Sequence, residues 1–202
     1  KLQEWSKLTY PQLTCHILRL FIASEEIPNR DLETICHSTL EGFTDPDRVV
    51  PIQTMGGIYV AELFHGPTFC FKDIGLRGLI SILSYFATRR KQQMTLLVAT
   101  TGDTGPAAVR AVSDIQNPRL TILVHYPKGQ ISDFQRKQLT TIQSKCVKVA
   151  TFEGGGDDMD KPIKNLLAKN KMDKDRKVTG VNSYNIGRPL MQMVHYVSFS
   201  LF

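Results

Sequence analysis

One lysine differs from the others in its company. Lys72 lies in the run His65-Gly66-Pro67-Thr68-Phe69-Cys70-Phe71-Lys72-Asp73, with two phenylalanines and a cysteine before it and Ile74 and an apolar helical pattern after it. Such surroundings desolvate an ammonium and disfavour its charged form, moving the amine towards the neutral nucleophile that imine chemistry requires. The same residues also suit a snorkelling lysine paired with Asp73. Asp73 itself reads as positioning the helix start or a neighbouring group, and His65 as a turn-packing residue. A second chemical element is Thr100-Thr101-Gly102-Asp103-Thr104-Gly105, directly after apolar Leu96-Leu97-Val98-Ala99 and directly before a helical pattern. Backbone N–H groups converging at a helix N-terminus cradle a carboxylate or phosphate, and the hydroxyls of Thr100, Thr101 and Thr104 add donors. Read locally, the stretch is equally a tight strand-to-helix loop capped by Asp103. Neither G-x-G-x-x-G nor G-x-x-x-x-G-K-[ST] occurs, so the dinucleotide and P-loop readings both fall.

The elements that position these residues follow from periodicity. Leu13, Ile17, Leu20 and Phe21 predict a helix over Tyr10–Phe21, and Leu32, Ile35, Cys36 and Leu40 a second over Asp31–Phe43. Val49–Ile52 and Ile58–Leu63 read as short strands around the Met55-Gly56-Gly57 turn, and a helix runs from Asp73 towards Arg89. Strands at Thr95–Thr100, Leu120–Tyr126, Val147–Phe152 and Val178–Asn182 then alternate with helical segments at 105–115, 131–143 and 158–171. That alternation predicts an α/β fold with a doubly wound parallel sheet and right-handed crossovers. Two parts are expected: residues 1–92, with the opening helices, short strands and lysine segment, and residues 93–202, a small doubly wound α/β domain. Asp157, Asp158 and Asp160 suit a positive helix N-terminus better than a metal.

The whole chain narrows the classes further. With 42% hydrophobic and 22% charged residues, its 202 residues are those of a folded globular protein. The net charge of +6 resides mainly in Arg89-Arg90-Lys91 and in Lys169 through Lys177, without interleaved aromatics, which reads as solvated helix ends rather than a nucleic-acid patch. Cys15, Cys36, Cys70 and Cys146 show no C-x-x-C spacing and are expected to be buried free thiols. No apolar stretch approaches the ~18 residues of a membrane span and no signal peptide is visible, so the expected location is the cytoplasm. The absence of an initial methionine fits a trimmed or fragmentary chain.

An ordered set of motifs adds a family resemblance. Leu63-Phe64-His65-Gly66-Pro67-Thr68 with Phe71-Lys72-Asp73, then Gly102-Asp103-Thr104-Gly105, then Tyr126-Pro127-Lys128-Gly129, then Asn182-Ser183-Tyr184-Asn185 resembles the threonine synthase family, and within it the eukaryotic threonine synthase-like phospho-lyases. The resemblance implies the tryptophan synthase β-like pyridoxal-phosphate fold, here with an incomplete large domain, since the family's later glycine-rich phosphate loop has no match. It implies that Lys72 binds pyridoxal 5'-phosphate as a Schiff base and then serves as the acid and base at the substrate carbons. It also implies that Thr100, Thr101, Gly102, Asp103 and Thr104 hold the substrate carboxylate, while Lys128, Asn182, Ser183, Asn185 and Arg188 help to hold the phosphate that leaves. Read by themselves, Lys128 is equally a strand-end lysine, Arg188 a surface ion-pair partner, and Asn182 and Asn185 turn formers. The implied activity is a lyase that eliminates phosphate from O-phosphohomoserine or O-phosphothreonine, its partner a small phosphorylated amino acid and not nucleic acid or membrane. The alternative is a shortened, non-catalytic form acting as a binding or signalling protein. Two departures fall near the phosphate end, Ile186 where the family shows Trp and Pro189 directly after Arg188.

Overall fold

The computed structural model describes residues 2–155, 158–169 and 176–201. Three helices open it, α1 (Leu2–Trp5), α2 (Tyr10–Leu18) and α3 (Asn29–Leu40). Gln12 reaches back to accept the Thr9 N–H at 2.9 Å at the start of α2, and Pro11 sits in the first turn, where a missing N–H costs nothing. The strands β1 (Ile52–Met55) and β2 (Ile58–Ala61) form an antiparallel hairpin in which Met55 faces Ile58. Gly56 and Gly57, at φ +54° and +83°, supply the two left-handed residues that a two-residue hairpin turn needs.

The strand expected at Val49–Ile52 begins only at Ile52. Val49 and Val50 are apolar because they are core residues, 1% and 4% exposed; Val49 takes φ +55° and Pro51 follows, so no ladder forms there. The thiols also need correcting. All four are free, but only Cys36 is buried, while Cys15, Cys70 and Cys146 are partly exposed. Arg89, Arg90 and Lys91 do close a helix, and residues 170–175 of the second basic run lie outside the described residues.

After α4 (Lys72–Arg89) come β3 (Gln93–Ala99), α5 (Thr104–Ile115), β4 (Leu120–Pro127), α6 (Asp133–Thr140), β5 (Val147–Phe152), α7 (Asp160–Lys169), β6 (Arg176–Gly180) and α8 (Gly187–Ser200). The four strands pair in the order β5-β4-β3-β6, all parallel. Alternate residues of β3 serve opposite faces. Leu96 and Val98 pack in one core with Leu76 and Ile80 of α4 and Ala108 and Val112 of α5, while Leu97 and Ala99 pack in another with Ile163 of α7 and Met159 just before that helix. Helices on both faces explain why β3 ends in the continuous apolar run Leu96–Ala99 and confirm the doubly wound parallel sheet.

Several boundaries moved. The helix predicted to reach Phe43 ends at Leu40, the one predicted over 131–143 covers Asp133–Thr140, and the last strand stops at Gly180, which frees Val181 and Asn182 for the loop beyond it. The segment expected over 158–171 starts at Asp160, with its last two residues outside those described; Asp157 lies outside too, and Asp158 pairs with Lys161 at 2.6 Å. No helix was foreseen after Asn182, yet α8 packs on α4 and α2, and Gly75 lets it approach so closely that a Cβ there would stand 3.0 Å from Gln192 Cγ. Among the described residues no helix is long and apolar enough to cross a membrane.

Candidate active site

The strand order reverses between β3 and β6. From β3 the chain steps outward through β4 to β5, then returns to the other side of β3 as β6. In doubly wound sheets the crevice beyond the carboxyl ends at such a reversal is where ligands bind. Here that crevice is a cleft of about 290 Å³ lined by Lys72, Thr100, Thr101, Gly102, Asp103, Thr104 and Asn182, together with Ala99, Gln135, Met159 and Asp160.

Lys72 reaches it from the first turn of α4. The turn before it is closed by the fully buried Asp73, whose carboxylate accepts the Thr68 N–H at 2.8 Å and the Thr68 hydroxyl at 2.7 Å. Burial pushes the Asp73 carboxyl up, against the pull of the Thr68 hydrogen bonds. Gly66 makes this closure possible: a Cβ there would lie 2.5 Å from Asp73 Oδ2. With Asp73 committed to Thr68, the Lys72 amine pairs instead with Asp103, Nζ to Oδ2 at 3.1 Å, and sits 4.9 Å from the Phe71 ring centroid. The expected apolar wrapping is partial, since Phe69 is 67% exposed and Phe71 40%.

The loop after β3 is held by its own hydroxyl. Thr100 Oγ1 accepts the N–H groups of Gly102 at 3.1 Å and Gly105 at 3.0 Å, and Thr100 is only 2% exposed. Asp103 stands at the helix N-cap but makes no capping bond; its carboxylate takes Lys72 on one oxygen and Gln135 Nε2 on the other, at 2.7 Å. Burial would raise the Asp103 carboxyl, but the hydrogen bonds from Lys72 and Gln135 hold it below the ordinary carboxylate value. The N–H groups of Thr101, Asp103 and Thr104 have no hydrogen-bond partner among the described residues, and they stand at the positive end of α5. Opposite them, Asn182 Nδ2 donates to the Ala99 carbonyl at 3.0 Å, tying β6 to β3, while its buried Oδ1 has no partner among the described residues.

The remaining predicted residues do not line this cleft. Lys128 pairs with Glu153 at 3.0 Å on the surface. Ser183 is exposed, and Asn185 shapes the turn into α8 by donating to the Gly180 carbonyl at 2.8 Å and accepting the Gly187 N–H at 3.1 Å. Arg188 is not a surface ion-pair partner: it is 4% exposed and carries no ion pair or side-chain hydrogen bond among the described residues. Burial lowers its pKa, partly offset by Cys70. His65 packs its turn, facing Glu62 at 2.7 Å and stacking on Phe64. Gln135 escaped the sequence reading. Its signal was the Ser132-x-x-Gln135 spacing, a capping box that opens α6.

The sequence and the fold both find relatives among known proteins. A family model described as "Threonine synthase N terminus" matches residues 1–40. Threonine synthase-like 2 of Homo sapiens is 36% identical over 193 residues, covering 96% of this chain and 40% of that protein. The threonine synthase of Saccharomyces cerevisiae is 34% identical over 206 residues, again 96% of this chain and 40% of the relative. Among solved structures, yeast threonine synthase superimposes with a TM-score of 0.86 at 34% identity, over 98% of this chain and 40% of that one. The PLP-bound threonine synthase of Brucella melitensis does so with a TM-score of 0.87 at 30% identity, over 99% and 42%. The chain thus spans about two fifths of the length of the relatives it matches. In sequence and in fold, the chain is similar to threonine synthases and threonine synthase-like proteins over the part of their length that it spans.

Proposed function

We propose that this chain carries the lysine and the carboxylate cradle of a pyridoxal-phosphate-dependent lyase that eliminates phosphate from an O-phosphorylated amino acid, O-phosphohomoserine or O-phosphothreonine. The observation that carries the reading is the Lys72 amine set in the cleft at the sheet reversal, facing a helix N-terminus. The residues present fit such a cofactor. The unpartnered Asn182 Oδ1 is a buried acceptor in the same cleft, and a buried polar atom without a partner is costly unless a ligand or water completes it. When bound, pyridoxal phosphate supplies the electron sink that stabilises negative charge on the substrate carbon.

The chain's own residues do the rest. Lys72 would hold the cofactor, and its amine is the group placed to move a proton at the substrate α carbon. Asp103 fixes the direction of that amine. The free N–H groups of Thr101, Asp103 and Thr104 hold the substrate carboxylate against the positive end of α5. Arg188 is a buried guanidinium without a counter-ion among the described residues, a state that favours an incoming anion, and the leaving phosphate is such an anion. Residues 1–92 and 93–202 act in this scheme as the lysine-bearing and cradle-bearing parts.

The test is to incubate the protein with pyridoxal phosphate, reduce with borohydride and map the adduct. The mass should appear on Lys72 and vanish in Lys72→Ala; label confined to surface lysines would sink the proposal. Release of inorganic phosphate from each of the two candidate substrates then separates turnover from binding without chemistry.

A further inference from the structure

We propose that Gln135 is a positioning residue for Lys72, acting through Asp103, and that the capping box of α6 exists in this fold to aim its side-chain amide. This inference rests on the reading of Lys72 as the cofactor lysine. The geometry leaves the amide one orientation. Gln135 faces the Ser132 N–H at 3.2 Å, and because a backbone N–H can only donate, the atom there is Oε1. The nitrogen must then point the other way, where it meets Asp103 Oδ1 at 2.7 Å. Asp103 is left with Oδ2 for the Lys72 amine at 3.1 Å, so the amide and the amine take different carboxylate oxygens.

The amide is also boxed in by packing. A Cβ on Gly102 would stand 2.6 Å from Gln135 Nε2, so the loop glycine makes room for it. One turn further along α6, Gln138 donates to the Thr68 carbonyl at 3.3 Å, on the turn that Asp73 closes. Through these two glutamines α6 touches both loops that flank the lysine, and it sets the spacing between them.

The groups facing Asp103 are few. Lys72 comes from α4, Cys70 from the turn before it and Gln135 from α6, while Asp160 of α7 lines the same cleft. The Cys70 thiol, pushed up to about 11 chiefly by burial, stays neutral through the acid range in which Asp103 titrates.

Two variants test the idea. Gln135→Met keeps the volume and loses the donor. Gln135→Glu keeps the capping box with Ser132, so α6 remains capped, but offers Asp103 a second carboxylate instead of a donor. The first readout needs no cofactor: carbodiimide coupling of glycinamide to Asp103 is followed against pH by peptide mass spectrometry, with Asp160→Asn as a background that removes the neighbouring carboxylate. The midpoint for Asp103 should move up in both variants, further in Gln135→Glu. The second readout is the rate of the borohydride-trapped adduct at Lys72, which should fall about tenfold, the equivalent of about 1.4 kcal/mol. Folded variants with the wild-type Asp103 midpoint overturn the proposal, and so does a slower adduct with that midpoint unmoved, which would mark a packing role alone. Absence of any adduct on the wild-type protein would instead defeat the cofactor reading, while the Asp103 midpoint would still decide what Gln135 does.

Discussion

The loop between β3 and α5 and the start of α8 are both polar and both largely buried, yet they are built in opposite ways. In the first, the Thr100 hydroxyl takes two loop N–H groups and the Asp103 carboxylate takes two donors. In the second, Arg188 Nε, Gln192 Nε2 and His195 Nδ1 are buried without hydrogen-bond partners among the described residues. The loop is shaped by the chain alone, whereas the polar stripe of α8 is left needing something from outside. The loop thus offers its free N–H groups from a shape already fixed, while α8 carries buried polar side-chain atoms that find no partner among the described residues.

The contrast can be broken or sharpened by substitution. The largest effect is expected on the self-sufficient side, in Gly66→Ala, where the new methyl would meet the Asp73 carboxylate and open the Thr68 closure. A loss of about 3 kcal/mol in urea unfolding is expected, the scale of an overpacked core with a broken buried network. Thr100→Val comes next. It is close to isosteric but strands the N–H groups of Gly102 and Gly105, for a loss of about 2 kcal/mol, whereas Thr101→Val, on an exposed residue, should stay within about 0.5 kcal/mol.

Arg188→Met should have the opposite sign. Removing an uncompensated buried cation should raise stability by about 1 kcal/mol and abolish any stabilisation by added inorganic phosphate in thermal melts. Were Arg188→Met to destabilise as much as Thr100→Val, the two regions would be alike and the contrast would fall. The smallest effect is in acid. Because burial holds the Asp73 carboxyl above its ordinary value, the folded state binds that proton first. Asp73 therefore adds stability as pH falls through its raised value towards the ordinary carboxylate range, and Asp73→Asn should flatten that part of a pH series of urea midpoints.

Much of this was legible in the residues. The Leu96–Ala99 end of β3 announced itself as an apolar run because helices cover both its faces, and Lys72 stood out through Phe69, Cys70 and Phe71 before it and Ile74 after it. Other parts were hidden for physical reasons. Val49 and Val50 look like a strand because core packing and strand formation favour the same β-branched residues. Arg188 reads as a surface residue because sequence carries no sign of burial for a charged group. Gln135 is an ordinary helix-start glutamine until α6 is docked against Gly102, and only the folded chain shows which acceptor its amide meets.

The bond that ties the cleft floor together carries a consequence for how the chain comes into being. Ala99 and Asn182 are joined across 83 residues of sequence. Closing so long a loop costs little more than closing a shorter one, since each doubling adds only about 0.6 kcal/mol. It is slow, however, because distant contacts must wait for nearer ones. A chain emerging from the ribosome carries Lys72 and Asp103 long before β6 exists, and strands β3, β4 and β5 can pair in the order they are made. β6 must travel back past both to reach β3, so the cleft is completed only after β6 has been made and docked beside β3.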